Sequence, residues 1–353
     1  MDITFILGNG FDIGLGMPTR YEDFYKEYCQ IKAEDNDNIR EFKEMLVNRN
    51  SARGKKIINW ADFEKAFGEH SKDLNDKRDY LEQFENFVEA FNLYLERVES
   101  FVDFSNTSAI AKVMDTAVET FYHIRPADKS EISEIINQNG SERVYNFITF
   151  NYTRTLDKCV EAFQQLIAGD ENRKIGSVTH IHGFIDQNMI VGVNDADQIL
   201  NEEFASDREV LHEIIKPLQN TISRTGYEYA MKSVIRKSQL ICIYGMSIGE
   251  TDRKWWDEIL NWLAEDPYRI LVILIHESKF NPRFPHRQDR YIRPVIDRFL
   301  PSSDIDDKVK RIIEERIYVG VNNDVFAMNL YRASEGEKPG MSCLGDTLKA
   351  VNV

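Results

Sequence analysis

Two kinds of hydrophobic pattern divide this chain. Short, nearly continuous apolar runs occupy residues 4–7, 144–150, 177–181, 189–193, 239–244, 270–275 and 316–321, and most end at glycine or a polar residue. Runs that are apolar at successive positions suit strands covered on both faces, the condition of a parallel sheet between layers of helix. The other pattern is helical. Residues 21–31 have it, residues 154–167 follow the second run, and residues 80–101 place Leu81, Phe84, Val88, Phe91, Leu95 and Val98 at steps of three and four, giving one apolar face that reads as a core stripe. A further helix is expected from about Asp252, capped by Thr251 and carrying Trp255, Trp256, Ile259, Leu260 and Leu263. The predicted class is α/β, with a mostly parallel sheet. Strand signals nearly vanish between about residues 32 and 140, so residues 1–31 and 141–353 are expected to form one sheet domain carrying a helical insertion over 32–140. Residues 196–238 read as polar and partly helical, with Pro217 as a breaker.

The first run breaks into a glycine turn, with Gly8, Gly10, Gly14 and Gly16 around Asn9, Phe11 and Asp12. Glycine lets an anion approach bare backbone, and N–H groups at the start of a helix favour negative charge. The turn is therefore a candidate phosphate cradle, with a purely structural turn as the alternative. Asp12 would repel a phosphate unless it faces a ribose or caps the helix. Ligands of parallel sheets sit beyond the carboxyl ends of the strands. That rule gathers residues 8–12, Asn151, His182, Asn194 and residues 245–247, including Gly245 and Ser247, around one opening; Asp195 follows Asn194 directly.

His180 and His182 would face one side if the strand ran through both, which makes a metal pair conceivable. No acidic or cysteine ligand stands close by in sequence, and His182 before Gly183 better suits acid–base work near neutral pH. Asp62 and Glu64 open a helix, where carboxylates are either catalytic or simply favoured by the helix dipole. Two basic stretches, one with Arg49, Arg53, Lys55 and Lys56 and one from Lys279 to Arg293, read first as solvated surface and second as phosphate contacts.

The 42% hydrophobic and 29% charged composition is that of a globular protein and excludes disorder. The four cysteines, Cys29, Cys159, Cys242 and Cys343, form no C-x-x-C pair, so neither a zinc ribbon nor a disulfide framework is expected. A net charge of −15 opposes non-specific attraction to nucleic acid and favours a small-molecule or protein partner. With no leader pattern and no membrane-length apolar run, the expected location is the cytoplasm.

The ordered blocks LGNGFDIGLGMPTRYEDF, WADFE, TFNYTRTLD, HIHG, IVGVND and YGMSIGETD resemble the AbiH family of bacterial abortive-infection proteins, associated with defence against bacteriophage. AbiH proteins in turn look like distant relatives of sirtuins and of sirtuin-like NAD-cleaving domains. The resemblance implies a Rossmann-like sheet and NAD as substrate or ligand. It places Gly8, Asn9, Gly10, Phe11 and Asp12 in the cofactor turn, Asn151 and His182 in the chemistry, and Gly245 and Ser247 in a nucleotide turn. Asn194 and Asp195 are added as cofactor contacts from their place after an apolar run. The paired-cysteine zinc module of sirtuin deacylases is missing, which argues against protein deacylation. The implied reaction is hydrolysis of the nicotinamide–ribose bond, with Asp12 or Asp195 to stabilise the cationic centre. The alternatives are a nucleotide-sensing module without turnover and a metal-dependent nuclease or phosphohydrolase using Asp62, Glu64, Asp195 and Asp252. A homo-oligomer or a partner defence protein is compatible with either course.

Overall fold

Six of the seven apolar runs form strands of one sheet: β1 (Asp2–Leu7), β2 (Arg143–Thr149), β3 (Arg173–His180), β4 (Leu240–Tyr244), β5 (Ile270–Ile275) and β6 (Ile317–Val321). The structure, a computed structural model, describes residues 1–30, 35–51, 57, 59–224, 226–249, 252–300 and 307–333. Every pairing is parallel, and the strand order is β3-β2-β1-β4-β5-β6. The sheet is thus all-parallel rather than mostly so, and the α/β expectation holds.

Alternate strand positions feed two separate layers. Ile6, Ile148, Ile241, Ile243, Leu271, Ile273, Ile317, Val319 and Val321 share one cluster with Met231, Ile235, Trp256, Ile259, Leu263 and Phe299, which lie on the helices Tyr227–Lys237, Arg253–Glu265 and Asp289–Phe299. The opposite face carries Phe5 and Phe147, stacked at 5.5 Å, with Phe121 and Phe326 edge-on to Phe5. Tyr145 meets Phe163 of the Thr155–Ile167 helix on the same face. Both faces being covered explains why β4 and β6 are buried along their whole length.

The chain divides into two compact units. The first holds the sheet and comprises residues 1–16, 104–181 and 226–330; the second comprises residues 17–103, residues 182–225 and the chain from Tyr331. The second unit is built on aromatic rings. Phe63 stacks on Phe87 at 4.0 Å, Trp60 lies 4.3 Å from Phe91, and Phe67 stacks on Tyr80 at 4.6 Å. Of the expected stripe on the long helix, Lys77–Ser100, Phe84, Phe91, Leu95 and Val98 are buried and Leu81 and Val88 are half-buried, while Tyr80, Phe87 and Tyr94 join the buried face. Rings of this size remove more apolar surface from water than a leucine or a valine.

The seventh run, residues 189–193, is not a strand. Val193 donates its N–H to the Ile214 carbonyl and accepts from the Lys216 N–H, both at 2.9 Å, while the Ile190 N–H goes to the His182 carbonyl. Its main-chain groups are taken up by turns and helix ends, leaving one isolated bridge, Val193 to Ile215. Pro217 stands in the first turn of the helix Lys216–Ser223, where its missing N–H costs nothing.

Cys242 and Cys159 are fully buried, and burial pushes the Cys159 thiol up to about 12 and that of half-buried Cys29 to about 11. Thiols react as thiolates. In a Cys343→Ser variant, all three are expected to stay unmodified by a thiol reagent at pH 7 and to react once the chain is denatured, as intact mass will show. Cys343, the Thr251 cap and the basic positions 53–56 lie outside the described residues.

Candidate functional site

The order of the sheet reverses direction between β1 and β4, and two glycine turns meet there. Gly8 donates its N–H to the Tyr244 carbonyl at 3.0 Å, and Gly10 donates to the Gly245 carbonyl at 2.9 Å. The two backbones touch: a Cβ on Gly10 would fall on the Gly245 Cα, and one on Gly245 would lie 2.5 Å from the Gly10 Cα. Gly245 also has a φ of +66°, which a side chain would strain. Phe11 donates its N–H to the Gly8 carbonyl at 2.9 Å. The glycines thus serve close turn-to-turn packing, and the N–H groups of Gly8, Gly10 and Phe11 are spent on main-chain carbonyls.

Asp12 is 2% exposed and lies within the short helix Gly10–Gly14. Its two carboxylate oxygens accept hydrogen bonds from Thr153 Oγ1 at 2.7 Å and Thr155 Oγ1 at 2.6 Å, and the two hydroxyls are 3.1 Å apart. It does not cap the helix, whose N-cap is Asn9. It braces the turn after β1 against the turn after β2.

Asn151 sits on that second turn, 8% exposed. Its main-chain N–H is held by Thr149 Oγ1 at 3.0 Å, and its Nδ2 donates to the Gly8 carbonyl at 3.1 Å. The amide oxygen accepts no hydrogen bond among the described residues. Asn151 therefore does two things: it pins the glycine turn and presents an acceptor beside it. Ser247, on the turn after β4, is exposed. In the same unit His180, the last residue of β3, is paired through Nε2 with Asp157 Oδ2 at 2.8 Å.

His182, Asn194 and Asp195 belong to the second unit. His182 lies beyond the end of β3, so the two histidines do not share a strand face. It is 5% exposed and is followed by Gly183 at φ +68°, where a Cβ would fall on the Asn188 carbonyl. A tight turn closed by Phe184 and Gln187 comes next. The N–H groups of Asn194 and Asp195 both go to Gln198 Oε1, and the Asp195 side chain caps the short 3₁₀ turn Ala196–Gln198.

Asp62 forms a reciprocal capping box with Asn59 at the start of the helix Trp60–His70. Glu64 is engaged by Lys216 Nζ at 3.1 and 3.2 Å, with both residues buried. Lys216 and the hydroxyls of Thr153 and Thr155 are partners that spacing alone does not announce, since each lies more than 140 positions from the carboxylate it meets. Among the described residues no group of three or more His, Cys, Asp or Glu is arranged to hold a metal ion. No helix of the described residues is long and apolar enough to cross a membrane.

A family model described as bacteriophage abortive infection AbiH matches residues 4–274, about three quarters of the chain. The chain belongs to the AbiH family. The match runs from within β1 to almost the end of β5, so both glycine turns, Asn151, His182, Asn194 and Asp195 fall within the AbiH region, and β6 follows it. AbiH membership makes this a bacteriophage abortive-infection protein. No curated protein matches the chain.

Proposed function

We propose that this AbiH protein binds NAD or a closely related nucleotide at the carboxyl ends of β1, β2 and β4 and hydrolyses the bond between nicotinamide and ribose. The observation that carries the reading is the strand order 3-2-1-4-5-6 with glycine turns back to back at its switch point, the position where sheets of this order bind dinucleotides. The resemblance of the HIHG and TFNYTRTLD blocks to sirtuin-like domains supplies the chemistry.

Asn151 offers its amide oxygen to a ribose hydroxyl or to the attacking water, and its orientation is already fixed by the bond to Gly8. The resemblance, through the HIHG block, assigns His182 the role of base or orienting group for a ribose hydroxyl. Water adds to the ribose carbon as the bond to nicotinamide breaks; the leaving group takes the bonding pair and departs neutral, and the proton of the water is released. The carboxylate of Asp12 is committed to two threonines, which leaves it the role of a brace. Ser247 contributes a side-chain contact to the nucleotide. Depletion of a shared cofactor would then arrest growth of the infected cell.

The test is incubation of the purified chain with NAD, following nicotinamide release beside the His182→Ala variant. Release that survives in a folded His182→Ala protein overturns the mechanism. A rise in melting temperature with NAD but without release marks a sensing module instead.

A further inference from the structure

The segment leaving the carboxyl end of β5 is a cationic part of an acidic chain. Residues 279–293 hold five cations, Lys279, Arg283, Arg287, Arg290 and Arg293, against one carboxylate, Asp289, in a protein of net charge −15. Residues 281–287 are all exposed. Elsewhere arginines commonly lie against carboxylates, as Arg97 does on Glu27, Arg173 on Asp115 and Asp170, and Arg269 on Glu265. Arg293 follows that habit with Asp297 and Glu314. Lys279, Arg283, Arg287 and Arg290 do not: none of the four forms an ion pair among the described residues.

Two of these cations lie instead on aromatic faces. The Arg287 guanidinium sits 4.5 Å from the ring centre of Phe284, itself 39% exposed, and that of Arg290 sits 4.7 Å from the ring centre of Tyr291. The Arg290 guanidinium also donates to the Tyr291 hydroxyl at 2.7 Å, and Phe280 meets Tyr291 edge-on. Unpaired like charges held together repel one another, and a polyanion would relieve them. The cation–ring pairs narrow the choice. A lipid headgroup layer would take the cations but would need apolar rings free to enter it, whereas rings that already lie under guanidinium groups offer surfaces on which unpaired bases stack while their phosphates take the cations.

We infer that this segment binds single-stranded nucleic acid. Arg283, Arg287, Arg290 and Lys279 contact phosphates, and the Phe284 and Tyr291 pairs receive bases. β4 and β5 are parallel neighbours, so a bound strand would lie at the same end of the sheet as the turn of Gly245 and Ser247. The inference concerns binding only and does not depend on NAD turnover.

Fluorescence anisotropy of the full chain with a labelled 20-nucleotide poly(dT) tests it, beside the same sequence as a duplex with poly(dA) and beside phosphatidylserine vesicles. Four phosphate contacts predict a fall in affinity of about 50-fold between 50 and 200 mM salt. Arg283→Glu/Arg287→Glu/Arg290→Glu is expected to lose binding at least about 100-fold. Phe284→Ala is expected to weaken it about tenfold while leaving the salt dependence unchanged. These side chains being exposed, unaltered melting of the variants serves as the check on folding. No binding at 50 mM salt, undiminished binding by the triple variant, or unchanged affinity in Phe284→Ala overturns the inference. So does duplex or vesicle binding as tight as that of the single strand. None of these readouts involves nicotinamide, so either proposal can fail while the other stands.

Discussion

Asn151→Ala and His182→Ala are each expected to lower nicotinamide release at least about 100-fold, the lower end of what a positioned acid–base group contributes. The two losses should differ in their side effects. Asn151 holds the Gly8 carbonyl through Nδ2, so alanine there removes a buried hydrogen bond as well as the acceptor, at about 1 kcal/mol of stability. If Asn151 were only a pin, melting temperature and rate would fall together in modest steps. A role in the chemistry shows instead as near-complete loss of release with a shift of a few degrees at most. Asn151→Asp separates the parts. It retains an oxygen for the ligand but sets a second oxygen against the Gly8 carbonyl at the 3.1 Å now spanned by a hydrogen bond. That variant should therefore lose stability as well as rate, and calorimetry alongside nicotinamide release will show whether both change.

Gly245→Ala is expected to destabilise the protein by about 2–5 kcal/mol, a large share of the total of about 5–15 kcal/mol typical of a folded domain. Two terms contribute. The left-handed backbone at φ +66° costs a side chain about 1–2 kcal/mol. The new Cβ would also lie 2.5 Å from the Gly10 Cα, and overpacking of that kind costs about 1–3 kcal/mol. Gly140→Ala provides the comparison: its φ is +80°, yet nothing lies within 4 Å of an added Cβ. It should show the backbone term alone. Urea denaturation of the two variants measures the difference, and equal midpoints would remove the turn-to-turn packing from the argument.

The sheet was legible because most of its strands are buried on both faces, so that each apolar run marks itself without reference to its neighbours; β3, exposed or half-buried over Arg173–Val178, announced only its far end. Residues 189–193 carry the same local signal, yet their hydrogen bonds go to helix ends, and a pairing partner is not written into a run of five residues. The Lys77–Ser100 helix was legible as a helix and in most of its buried face, since Phe84, Phe91, Leu95 and Val98 are buried. Period alone added Leu81 and Val88, and only the rings of Phe63 and Phe67 decide for Phe87 and Tyr80 instead. At the candidate site the glycine spacing located the turn, while its use for contact with Gly245 depended on a segment more than 230 residues away. Asp12 in a glycine turn looked like a ligand group for the same reason: the threonine hydroxyls that neutralise its isolation come from beyond β2.

The position of β1 carries a consequence for how the chain is made. β1 is paired on one side with β2 and on the other with β4, so it gains one neighbour only after residue 149 has been synthesised and the other only after residue 244. At about 5–20 residues per second this leaves the Ile3, Phe5, Ile6 and Leu7 edge without a β-partner for on the order of ten seconds, and its second edge for longer. An apolar strand that waits this long for its partners is exposed to aggregation on the ribosome. Slow emergence of β4 should therefore limit the yield of folded protein in a way that equilibrium stability does not reveal.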